Sequence, residues 1–152
     1  MNEHSEMTLA IIKPDAFKQH AVGNIISRIE EASISIIALK QIHLTESEAG
    51  MFYHVHKGKS FYDALVTFMS SGPCVVLVLQ GEDVINRWRT LIGPTDPTNA
   101  PEGTIRQLYG TTVRHNAVHG SDAPETATYE ISFFFSGLTL ASQSHTEGEG
   151  QQ

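Results

Sequence analysis

Apolar positions along the 152-residue chain change period several times, and each change marks an element. Residues 8–13, TLAIIK, are an apolar run stopped by Pro14 and predict a buried strand. Val22, Ile25, Ile26 and Ile29 keep the i, i+3, i+4, i+7 spacing of a helix with one apolar face. Residues 33–44, SISIIALKQIHL, start by alternating and are rich in β-branched side chains. The alternation breaks at Ile36-Ile37, which predicts a strand with a bend or bulge. Thr45 and Glu48 have capping-box spacing at the head of a helix lined by Ala49, Phe52 and Tyr53. Ser60 and Asp63 repeat that spacing before Phe61, Leu65 and Phe68, and SSGP at 70–73 stops this second helix.

VVLVLQ at 75–80 is apolar on both faces and belongs in the middle of a sheet. Asp83 is positioned to cap a helix lined by Val84, Trp88 and Leu91 that ends at Gly93-Pro94. A long irregular stretch follows, up to Asn116. Loops of that length inside a compact domain are uncommon and often functional. AVH at 117–119 reads as a short strand. Ser121 or Asp122 caps the last helix, Pro124 suits its first turn, and Ala127, Ile131, Phe134 and Phe135 form its buried face. The order β α β α α β α loop β α predicts an α/β (α+β) sandwich of split βαβ type. Its four-stranded sheet is expected to be covered by helices on one side. One domain over 1–140 and a polar, disordered tail over 141–152 complete the layout.

Composition narrows the function classes. No run approaches the roughly 18 apolar residues of a membrane helix, and MNEHSEM has no signal-peptide core. Cys74 is the only cysteine, which removes an internal disulfide and points to a reducing, cytoplasmic setting. A formal charge of −7 argues against general nucleic-acid binding. Yet four of the five arginines (Arg87, Arg89, Arg106, Arg114) fall within 87–114, a concentration suited to an anion site as well as to solvated surface.

His119 carries the chemistry. It ends the last short strand, next to Gly120 and just before a helix. Helix amino termini attract phosphate, and a neutral imidazole offers a nitrogen nucleophile near pH 7. That role needs one bare ring nitrogen and a carboxylate that holds the proton on the other. Glu130, flanked by the buried positions Ile131 and Phe134, is the natural candidate. Glu125 and Asp122 lie nearer in sequence, where capping explains them. A histidine before a helix is, taken alone, more often a cap or a surface group. His54 and His56, two residues apart on a helix, would point in different directions and make a poor metal pair.

NAVHGSDAPETA at 116–127 closely resembles the active-site signature of nucleoside diphosphate kinases. So do TLAIIKPDA at 8–16, SGPCVVLVL at 71–79 and GPTDP…GTIR at 93–106, in the same order and spacing. The resemblance implies a bacterial-type enzyme of ferredoxin-like fold. It would move the terminal phosphate of a nucleoside triphosphate to a nucleoside diphosphate, by a ping-pong route through phosphohistidine at His119. It implies that Glu130 orients His119 and that Ser121 bonds Glu130. Lys13 and Tyr53 would contact the transferred group, and Arg89, Thr95 and Arg106 the other phosphates. Asn116 and Lys13 would reach the ribose, and Phe61 and Val113 would clamp the base. Mg²⁺ would arrive with the nucleotide and touch Asp122 through water. Self-association into dimers within a tetramer or hexamer would follow, with the strand at 33–44 suited to pairing across a two-fold axis.

The chain departs from that pattern at Lys59-Ser60, where Arg-Pro is usual, and at Ser33, where glycine is usual. A positive φ at Ser33 would cost about 1 kcal/mol. Arg87 has no counterpart role. The absence of a GxxxxGK[ST] loop separates the chain from P-loop kinases. Two other readings use the same features: a phosphohistidine carrier serving a protein partner, and a non-catalytic regulatory or nucleic-acid-binding module.

Overall fold

The computed structural model describes residues 5–137 and Leu140, so the tail expected at 141–152 lies outside the described residues. The sheet is built from β1 (Ser5–Ile12), β2 (Ser35–Ile42), β3 (Cys74–Glu82) and β4 (Val118–Gly120). Its order is β2-β3-β1-β4 and every pairing is antiparallel. Among the described residues it is accompanied by α1 (Pro14–Lys18), α2 (Val22–Glu31), α3 (Glu46–Phe52), α4 (Tyr62–Met69), α5 (Val84–Ile92), α6 (Ile105–Tyr109) and α7 (Pro124–Phe134). This is the ferredoxin-like α+β arrangement.

Helices cover both faces of the sheet, not one. Leu9 and Ile11 of β1 and Val76 and Val78 of β3 pack with Phe52, Met69, Ala127 and Ile131, from α3, α4 and α7. The alternate residues Ala10, Ile12, Val75, Leu77 and Leu79 pack with Ile25, Ile29, Trp88 and Ile105, from α2, α5 and α6. Unbroken apolar runs in the central strands require this, because each face of such a strand needs its own cover.

Local chemistry fixes the connections. The bulge falls where the alternation fails: Ile36 pairs with Leu79 and Ala38 with Val78, leaving Ile37 as the extra residue. Thr45 and Glu48 close the capping box in both directions, at 2.9 and 3.1 Å. The helix α2 ends in a Schellman motif, with Ile34 N–H donating to Ile29 O and Ser33 N–H to Glu30 O. Ser33 holds the left-handed position at φ 59°. The unassigned Arg87 donates to Ala32 O at 2.7 Å and to Glu82 O at 3.2 Å, so it satisfies the end of α2 and ties it to α5.

Three expected caps are absent. Asp83 adopts φ 52° and accepts from the Asn86 side chain; Glu6 Oε1 instead accepts the Ile85 N–H at 2.9 Å. Ala123, not Ser121 or Asp122, occupies the cap position of α7. Ser60 caps nothing, and α4 starts only at Tyr62, after Phe61. The stretch expected to be irregular holds α6, capped by Thr104, and a short 3₁₀ turn at Pro97–Asn99, so Arg106 is helical.

Candidate active site

β4 pairs with β1 so that His119 lies opposite Ile11. The Trp88 indole N–H donates to His119 O at 3.1 Å. That approach demands the following glycine: a Cβ at Gly120 would lie 2.7 Å from Trp88 Cδ1. The Phe52 ring packs edge-on to the imidazole, with centroids 5.8 Å apart. Held on three sides, the His119 side chain is still 19% exposed, enough to meet a ligand.

His119 Nε2 lies 2.8 Å from Glu130 Oε1. Ser121 donates its hydroxyl to the same oxygen at 2.7 Å, while its Oγ accepts the Leu9 N–H at 3.1 Å. A carboxylate only accepts, so Nε2 carries the proton and the imidazole lone pair falls on Nδ1. Glu130 thus fixes the tautomer and stands ready to balance an imidazolium. Tyr53 OH is buried without a partner in this region. Burial first, and the nearby Glu130 carboxylate second, push its ionisation far up, so it remains a neutral donor.

The cations converge through Asn116, which is buried. Lys13 Nζ donates to Asn116 Oδ1 at 2.8 Å, and Asn116 Nδ2 donates to Thr95 O at 3.0 Å. Arg106 donates from Nε to Asn116 O and from its two terminal nitrogens to Gly93 O and Val118 O. Three of its five N–H groups are spent on backbone, and two remain for an anion. Gly93 sits at φ 89°, where a Cβ would lie 2.9 Å from Thr104 Oγ1. Burial first and the positive Arg106 second lower the Lys13 pKa to about 8, with Asp15 partly offsetting them. Burial and the neighbouring Arg89 likewise lower Arg106. Cations crowded this way are relieved by a polyphosphate.

The remaining expected residues lie at the exposed rim. Arg89 occupies the last turn of α5, and Thr95 follows Gly93-Pro94. Phe61 is 43% and Val113 56% exposed, on separate segments. Val113 tips a turn closed by Thr111 and Thr112 N–H groups donating to His115 O. Asp122 is exposed on the turn between β4 and α7. His56, weighed in the sequence only as half of a poor metal pair, has its ring between Tyr53 and Phe61, at 6.4 and 5.3 Å, and its Nδ1 is buried without a partner. Only its distance along the chain from Phe61 could have pointed to it. A separate groove of about 1440 Å³ beside α1 and α4, walled by Lys18, Asp63 and Arg114, does not reach His119.

Among the described residues no three histidine, cysteine or acidic groups gather to hold a metal ion, and no helix is long and apolar enough to cross a membrane. The family model for nucleoside diphosphate kinase matches residues 6–140. A nucleoside diphosphate kinase of Syntrophotalea carbinolica is 53% identical over 135 residues, covering 89% of this chain and 98% of the relative. One of Persephonella marina is 51% identical over 135 residues, 89% of this chain and 96% of the relative. The solved nucleoside diphosphate kinase of Aquifex aeolicus superposes with a TM-score of 0.87 at 48% identity, covering 89% of this chain and 98% of that one. The halophilic enzyme of Halobacterium salinarum, in complex with CDP, superposes at 0.85 with 36% identity, covering 90% of this chain and 91% of that one. Matched in sequence and in fold along nearly its whole described length, the chain belongs to the nucleoside diphosphate kinase family.

Proposed function

We propose that the protein transfers the terminal phosphoryl group of a nucleoside triphosphate to a nucleoside diphosphate through His119. The observation that carries this reading is the chain Leu9 N–H, Ser121 hydroxyl, Glu130 carboxylate, His119 Nε2, which leaves Nδ1 as the nucleophile. In the first half-reaction Nδ1 attacks the terminal phosphorus. The N–P bond forms as the bond to the bridging oxygen breaks, and the diphosphate leaves with both electrons of that bond. Nε2 keeps its proton, and Glu130 balances the positive ring. In the second half-reaction a terminal oxygen of another diphosphate attacks the same phosphorus, and the imidazole departs neutral.

The other roles extend the same reading. Lys13 and Tyr53 meet the transferred group, and Arg89, Thr95 and Arg106 hold the remaining phosphates. Asn116 and Lys13 reach the ribose. Phe61 and Val113 flank the base through apolar contact, which accepts purines and pyrimidines alike. Mg²⁺ enters as part of the nucleotide substrate. With no clustered ligand set in the described residues, phosphate oxygens and water are its partners, and exposed Asp122 meets it through water. The edge strand β2, which exposes Leu39, pairs with a second copy to give dimers within a larger assembly, a point for light scattering.

Treatment with ATP followed by mass spectrometry is expected to find one acid-labile phosphate, on His119, and later addition of GDP to yield GTP. Phosphate retained on the protein with no GTP formed would instead identify a carrier.

A further inference from the structure

Ala117, between Asn116 and Val118, is fully buried and holds φ 73°, a conformation an alanine rarely adopts. Val118 N–H donates to Asn116 O across it at 2.9 Å, the two-residue closure of a strained γ-turn. Its peptide groups are gripped from one segment. Lys13 N–H donates to Ala117 O at 2.9 Å, and Asp15 Oδ2 accepts the Ala117 N–H at 3.0 Å. The second Asp15 oxygen, Oδ1, is buried without a partner, so this side chain gives up solvation to stand there. On either side of the kink lie the Asn116 amide, which engages Lys13, and the strand that carries His119.

We propose that Asp15 is a positioning residue. Its carboxylate holds the left-handed Ala117 turn, sets the Asn116 side chain against His119, and supplies the countercharge beside Lys13. This rests on the phosphotransfer reading above. Both halves of the role come from one residue at the start of α1: one oxygen on the backbone, one negative charge between the strand end and the turn. The charged groups acting on Lys13 are Arg106, which opposes its charge, and Asp15, which favours it.

Three variants separate these functions. D15A removes grip and charge, and is expected to lower kcat/KM by roughly 10- to 100-fold, the scale of a site displaced by about 1 Å. A117G in the D15A background is expected to recover most of that loss, because glycine takes a positive φ without assistance. D15N keeps an acceptor for the Ala117 N–H but drops the charge. Lys13 is needed protonated, so activity falls as pH rises through its ionisation near 8. D15N is expected to retain turnover only on the acid side of that ionisation, where Lys13 stays protonated, and to move the alkaline limb of kcat/KM to lower pH.

Turnover in D15A equal to the parent, or D15A activity that A117G leaves unchanged, would overturn the positioning role. An unmoved alkaline limb in D15N would overturn the electrostatic one. If D15A does not fold, D15N still decides the electrostatic role, and the D15A/A117G double variant decides the positioning one: folding and turnover are expected to return with the glycine, and their failure to return would overturn it. A parent protein that forms no phosphohistidine would defeat the phosphotransfer reading instead, before any variant is compared.

Discussion

His119, Glu130, Ser121, Lys13 and Asn116 are tied into short hydrogen bonds around β4, whereas the Phe61, Arg89, Thr95 and Val113 side chains stand exposed to solvent. The inner groups have their rotamers set before any ligand arrives. The outer ones still have side-chain entropy to lose on binding. In the phosphotransfer reading proposed above, order is concentrated where bonds change, and adaptability where a variable base is accommodated. On that reading, damage inside lowers turnover and damage at the rim weakens binding.

The sharpest break of this contrast is H119A, which removes the nucleophile. A loss of transfer on the order of 10⁴-fold or more is expected, with nucleotide binding retained in equilibrium dialysis. Glu130→Ala leaves the nucleophile but frees its tautomer. Steady-state kinetics are expected to find kcat lower by roughly 10²-fold and KM little altered. At the rim, F61A removes one stacking surface worth about 1–3 kcal/mol. KM is expected to rise about tenfold with kcat nearly constant, and a fall confined to kcat would erase the distinction between the two regions. Outside both, S33G relieves the left-handed serine at the end of α2. Chemical denaturation is expected to find a gain of about 1 kcal/mol, with kinetics unchanged.

Features written in adjacent residues were legible in the sequence. The broken alternation at Ile36-Ile37 marked the bulge and the Thr45–Glu48 spacing gave the capping box, whereas the positive φ of Ser33 was suggested only by the family's usual glycine there. The Glu130 pairing was readable because its neighbours Ile131 and Phe134 are apolar and face the core, which turns Glu130 inward. What escaped depends on partners far along the chain. The resemblance supplied the Ser121 bond to Glu130, but not that the same Oγ accepts the Leu9 N–H, nor that Glu6 on β1 accepts at the start of α5. Asp15 carries no separate reading in the sequence, because its partner Ala117 lies far along the chain. The expectation of helices on one side failed because cover for the second face comes from helices whose placement is a matter of tertiary packing.

The central strand β1 is the common reference for this machinery. Its first turn of side chains starts α5, its middle amide steadies Ser121, and its end launches Lys13. A slip of that single ribbon by one residue would therefore misaim the anchor, the cation and the arginine-bearing helix together. Such a protein has no half-assembled yet serviceable catalytic form: competence is gained or lost with the seating of one strand.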